Sequence, residues 1–136
     1  MIDSTKIIER AKRKLGSPTI NIELEDEQMT SLLKDAYDTF FLYSSLSDLN
    51  KEKKYEIEDN WVKKYFYALC KETLGRIRGK YEKINIDNIE TKLDSETLLS
   101  ESEKEKLFLK YLLFKDKEIL EYLQTQNAVF VVYLNS

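Results

Sequence analysis

From Asp26 to about Ser44, the residues Met29, Leu32, Leu33, Ala36, Tyr37, Phe40 and Tyr43 recur so that, wound at helical pitch, they fall within an arc of roughly 140°. A strand cannot use that pattern, because a period of two would send the same side chains to both faces of a sheet. A second, broader stripe runs from Asp59 to about Gly79. There Trp61, Val62, Tyr65, Phe66, Ala68, Leu69, Cys70, Thr73 and Ile77 cover more than half the circumference of a helix, which marks it as central. The two stripes predict a core in which Leu33, Ala36 and Phe40 meet Trp61, Tyr65, Leu69 and Ile77. Three glycines and one proline in 136 residues leave little to interrupt long elements. The expected fold class is mainly α: a small bundle of about four helices, as a single domain over residues 1–136, with a minor β-hairpin and a C-terminal strand.

The remaining elements read less sharply. Ser4 is placed to cap a first helix whose Ile7, Ile8, Ala11 and Leu15 keep helical spacing, and Gly16 with Pro18 supplies its stop. Ile20, Ile22 and Leu24 alternate with polar residues, as an extended connection would, and Asp26 is placed to cap the next helix. Ser45 to Ile57 breaks the period and reads as an exposed loop. Ile84, Ile86 and Ile89 look extended, and Leu93–Leu98 resembles two strand ends joined by a tight turn. Ser100 and Glu103 form a capping-box pattern that would open a fourth helix, with its end near Lys115 or Gln124. Ala128–Leu134, AVFVVYL, is β-branched and aromatic on both faces, which suits a strand covered on both sides.

Little in the chain offers a foothold for chemistry. There is no histidine, so the usual general base and the commonest transition-metal ligand are both missing, and one cysteine cannot build a zinc site alone. Gly16, Gly75 and Gly79 match neither phosphate-binding nor dinucleotide spacing. The acidic run from Asp48 to Asp59 has Lys53 where a calcium loop needs glycine. No cofactor, no metal and no catalytic residue is expected. Cys70, among Tyr65, Phe66, Ala68 and Leu69, reads as a small buried hydrophobe in a reducing compartment. Met1–Leu15 has no apolar core of a secretory signal, and no stretch approaches the length of a membrane helix, so a soluble, intracellular protein is expected.

The net charge of −3 lacks the footprint of a protein that binds DNA as a whole, but two basic clusters stand out. Lys6, Arg10, Lys12, Arg13 and Lys14 load the first helix; a solvated face, contact with an acidic partner surface through Lys12, Arg13 and Lys14, and proximity to nucleic acid all remain open for it. Arg76, Arg78 and Lys80 suit a helix C-terminus. Glu72 and Arg76, at i, i+4 inside the broad stripe, predict a partly buried ion pair. The fourth helix has two opposed apolar stripes if it runs from Glu101 to Leu123: Leu107, Tyr111 and Phe114 on one side, Leu109, Leu113 and Leu120 on the other. The stripe of Leu109, Leu113 and Leu120, together with Phe130 and Val132 of the tail, is then expected at an interface with a neighbouring chain. The alternative is that Lys115–Lys117 ends the helix and the second stripe folds onto the same core.

Three segments, IIERAKRKLGSPTINIELEDEQM at Ile7–Met29, WVKKYFYALCKETLGRIRGKY at Trp61–Tyr81 and LDSETLLSESEKEKL at Leu93–Leu107, together resemble the head-tail connector or neck proteins of tailed bacteriophages, including the ring proteins of crAss-like phages. Trp61 with Leu74-Gly75-Arg76-Ile77-Arg78 carries most of the specificity. The resemblance implies a non-enzymatic virion protein, assembled in the host cytoplasm, with a helical core and small β elements. It further implies copies in a cyclic ring, often twelvefold, docked on the portal among other neck and tail proteins and lining the channel through which double-stranded DNA leaves. The chain departs from that pattern at Asp94-Ser95, which stands where a glycine-containing turn is expected, and in its strand-like tail. A small helical adaptor with one protein partner and a DNA-packaging accessory protein are the alternative functions.

Overall fold

The computed structural model describes residues 3–17, 22–46, 50–84 and 89–113. Four helices account for nearly all of them: α1 (Ser4–Lys14), α2 (Asp26–Ser45), α3 (Lys51–Ile84) and α4 (Ile89–Leu113). Among the described residues there is no strand. The mainly helical class therefore holds, and the small β elements need correction where they can be seen. Leu93–Leu98 is not a hairpin turn but part of α4, and Ile84 and Ile89 are the ends of two helices rather than strand residues. Ile86 and the AVFVVYL segment lie outside the described residues.

Each helix end has a local cause. Asp3, not Ser4, caps α1, its carboxylate accepting the Thr5 N–H at 3.1 Å. At the other end, the N–H of Gly16 reaches the Arg13 carbonyl and that of Ser17 reaches Lys12, the paired bonds of a Schellman motif. Gly16 sits at φ 118°, which a side chain would resist, so glycine is required there. Glu25 occupies the cap position of α2, and Asp26 is its first helical residue, where a negative charge suits the exposed N–H groups. The expected loop before the central helix is shorter than its polarity suggests. Asn50 accepts the Lys53 N–H at 2.8 Å, and α3 starts at Lys51, so most of the Lys/Glu run is its solvated first turns.

The 34-residue α3 is the axis of the molecule, about 51 Å long at 1.5 Å per residue. Phe40 of α2 lies against Trp61 with ring centroids 5.5 Å apart, and Trp61 stacks on Tyr65 at 4.7 Å. Met29, Leu33, Ala36 and Phe40 of α2 and Trp61, Val62, Tyr65, Phe66, Cys70 and Leu74 of α3 are buried in one cluster. Leu69 and Ile77 pack against it partly exposed. Ile7, Ile8 and Ala11 attach α1 to the same cluster.

On its other side α3 pairs with α4 in antiparallel sense, since contacts move down one helix as they move up the other. Arg78 meets Asp94, Gly75 meets Ser95 and Leu98, Lys71 meets Glu101 and Glu105, and Trp61 meets Leu109. Small residues set the spacing. A Cβ on Gly75 would stand 3.0 Å from Leu99 Cγ and 3.2 Å from Leu98 Cβ, and one on Gly79 would stand 3.0 Å from the Ser95 hydroxyl. Ser95 donates to the Gly75 carbonyl at 2.7 Å and is buried, as is Ser102. Ser95, Leu98, Ser102 and Leu109 thus form a seam at heptad-like spacing. Ser100 and Glu103, expected to open the helix, lie inside it.

Candidate functional site

The basic residues divide into those that hold the fold and those that face outward. Lys12 pairs with Asp26 and so ties the end of α1 to the start of α2. Arg78, mostly covered, bonds Glu23 at 3.1 Å and also pairs with Asp94, linking the segment before α2, α3 and α4. Burial of the guanidinium works against its charge, but the bonds to Glu23 and Asp94 outweigh this and its pKa is raised. Glu72 and Arg76 are 3.5 Å apart, with Arg76 largely exposed, and Glu72 also pairs with Lys106 of α4.

Lys71 is the most enclosed cation. Its ammonium lies 2.8 Å from Glu105 and 3.0 Å from Glu101, and 4.8 Å from the centre of the Tyr67 ring. Burial depresses its pKa, and the two carboxylates more than reverse that, so it stays charged. This cluster is a fastening between helices, and sequence spacing alone could not have paired residues thirty and more positions apart.

A different set of cations lines a cleft of about 510 Å³ between α1 and α3. Lys6, Arg10 and Lys14, four residues apart, form one wall, and Lys63 and Lys64 stand on the other. Ile7, Ala11, Phe66 and Tyr67 supply an apolar floor, and Asp3, Asp59 and Asn60 complete the lining. Lys14 lies 5.1 Å from the Tyr67 ring centre, and the Tyr67 hydroxyl donates to the Lys14 carbonyl at 3.5 Å. Burial raises the Tyr67 pKa, with Lys71 opposing. Of the three residues expected to meet a partner, Lys14 lines this cleft, Arg13 is exposed outside it and Lys12 is engaged with Asp26. Lys63 and Lys64 were not anticipated. Their signal was the polar gap they cut in the broad stripe of α3.

The apolar residues expected at an interface are placed otherwise. Leu109 and Leu113 are buried within the chain itself, at 4% and 0% exposure, and the Leu109 carbonyl accepts the Trp61 indole N–H at 2.6 Å. Their stripe faces the core because α4 lies flat along α3, so neither is available to a neighbour. Leu120, Phe130 and Val132 lie outside the described residues. What is exposed instead is Phe41, Leu42 and Leu46 of the second helix end, Tyr55 near the start of α3, and Leu112.

Cys70 is fully covered, and burial pushes its thiol up to about 12, which keeps it protonated at neutral pH. Among the described residues no group of three or more His, Cys, Asp or Glu side chains is arranged to hold a metal ion, and no helix is long and apolar enough to cross a membrane.

Fold and surfaces together define a small, mainly helical protein whose accessible features, among the described residues, are a basic cleft and scattered exposed apolar side chains, both suited to contact with other macromolecules. Residues 46–121, more than half of the chain, match the family model of the bacteriophage T4 neck protein gp13, and the chain belongs to that family. Its role is accordingly structural, in the phage neck, and the family points to the virion as its location. The match includes the whole of α3 and α4 as described. No curated protein and no solved structure matches the chain.

Proposed function

We propose that the protein is a non-enzymatic ring component of the neck, in which copies assemble cyclically between portal and tail, join head to tail and surround the path of the exiting DNA. Family membership over residues 46–121 is the observation that carries this reading. Supporting it are the similarity to connector rings at Trp61–Tyr81 and the stiff α3–α4 hairpin, whose fastening by Lys71, Glu72 and Arg78 suits a part that must keep its shape under load. Cyclic assembly of identical copies needs two different, complementary patches on each chain. The exposed Phe41, Leu42 and Leu46 are available for one of them. Assembly would take place in the host cytoplasm, with portal and other neck proteins as partners.

The test is native mass measurement of the purified full chain, alone and mixed with portal. A closed oligomer, either alone or only in the presence of portal, is the expected result. A chain that stays monomeric in both, and binds one partner in a one-to-one complex, would replace the ring with a helical adaptor.

A further inference from the structure

The cations of the α1/α3 cleft have no ion-pair partner among the described residues. Among the described residues Lys6, Arg10, Lys63 and Lys64 form no ion pair, whereas Lys12, Lys71, Arg78 and Lys106 all do. Two carboxylates share the lining, Asp3, whose side chain caps α1, and Asp59. Five cations against two carboxylates leave the cleft positive in a chain whose net charge is negative. Like charges brought together without counter-ions raise the energy of the free protein, and an anionic occupant lowers it.

The floor decides which anion. Ile7, Ala11 and Phe66 close the bottom of the cleft with apolar surface, which a phosphate backbone cannot use. The cationic wall from Lys6 to Lys14 runs for about 12 Å, roughly two helical turns, too short a track for a duplex to follow. We propose that this cleft docks an acidic amphipathic segment of a partner protein. Its carboxylates meet Lys6, Arg10, Lys63 and Lys64, and one apolar side chain rests on the Ile7–Phe66 floor. The site lies outside the α3–α4 seam and does not depend on how many copies form a ring.

Binding of a fluorescein-labelled synthetic helical peptide, with Glu and Leu on adjoining faces, to the full chain provides the test. It is run beside the same peptide with Gln for Glu and beside a labelled DNA duplex. The Glu peptide is expected to bind in a salt-sensitive manner, and the Gln peptide and duplex much more weakly. Lys6→Glu with Lys64→Glu should weaken the Glu peptide about tenfold or more, while Lys51→Glu with Lys53→Glu, outside the cleft, should change it less than about twofold. Far-UV circular dichroism checks that both double variants fold, and Lys6→Gln with Lys63→Gln gives a second pair without reversed charge. Tighter binding of the duplex, lost in the same cleft variant, would assign the cleft to phosphate instead. Equal loss in the two Glu double variants, or no binding of the Glu peptide, overturns the proposal.

Discussion

Trp61 joins three helices, and its removal should show how far the core depends on one side chain. The indole is 4% exposed, stacks on Tyr65, touches Phe40 of α2 and donates to the Leu109 carbonyl of α4. Truncation of a buried aromatic of this kind costs about 3–5 kcal/mol, because the cavity between α2 and α4 cannot close without moving a helix. A domain of this size has about 5–15 kcal/mol in total, so Trp61→Ala should lose roughly a fifth of it or more. At about 4 °C per kcal/mol, thermal unfolding should shift down by roughly 12–20 °C. Trp61→Phe separates packing from hydrogen bonding: it keeps an aromatic ring against Tyr65 and Phe40 but loses the indole N–H, and should cost about 1–2 kcal/mol. Urea unfolding followed by circular dichroism at 222 nm is the assay, since both variants remove the single tryptophan. The unmutated chain should show the blue-shifted emission of a buried indole. An unchanged midpoint for Trp61→Ala, or emission like that of indole in water, would refute the packing described for α2, α3 and α4.

Leu109→Asp with Leu113→Asp should abolish cooperative unfolding altogether, because both side chains are enclosed; a folded protein that merely fails to assemble would return them to an interface. Gly75→Ala gains helix propensity of about 1 kcal/mol but presses on Leu98 and Leu99, and a net loss of about 1 kcal/mol is expected by thermal melting, with Gly75→Val worse; a stabilised Gly75→Val would mean that the α3–α4 spacing is not set by glycine. Alkaline conditions should destabilise the fold from about pH 9 upward. Cys70 and Tyr65 are each raised to about 12, both chiefly by burial, from 9.0 and 10.0. Between those limits the folded state therefore holds protons that the unfolded state has released, and stability falls with rising pH. Lys71, also raised, acts in the same direction as its charge is lost. Denaturant midpoints of Cys70→Ala should therefore decline less steeply between pH 9 and 10 than those of the parent, the remaining slope belonging to Tyr65 and Lys71, and equal slopes would refute the assignment to Cys70.

The amphipathic stripes at Met29–Tyr43 and Trp61–Ile77 determined by themselves that α2 and α3 exist and which faces they bury, because periodicity is local and strong there. The Schellman end of α1 at Gly16 was legible for the same reason. The resemblance to phage neck proteins was legible too, and the family match over residues 46–121 takes in two of its three segments, Trp61–Tyr81 and Leu93–Leu107. The helical state of Leu93–Leu98 was not. Its buried positions are Ser95, which carries almost no hydrophobic signal, and Leu98, and both sit where Gly75 and Gly79 let α4 approach. Polarity likewise disguised the start of α3, where Lys and Glu are good helix formers facing water and Asn50 was the one local cue. Only the tertiary structure could assign Leu109 and Leu113 to the core, since a helix with apolar residues on two sides does not say which side its own chain will cover. It also divided one basic helix into Lys12, engaged with Asp26, and Lys6, Arg10 and Lys14, opposed by Lys63 and Lys64 across a cleft. Those pairings join residues far apart in the chain, and charge acts through space rather than along the sequence.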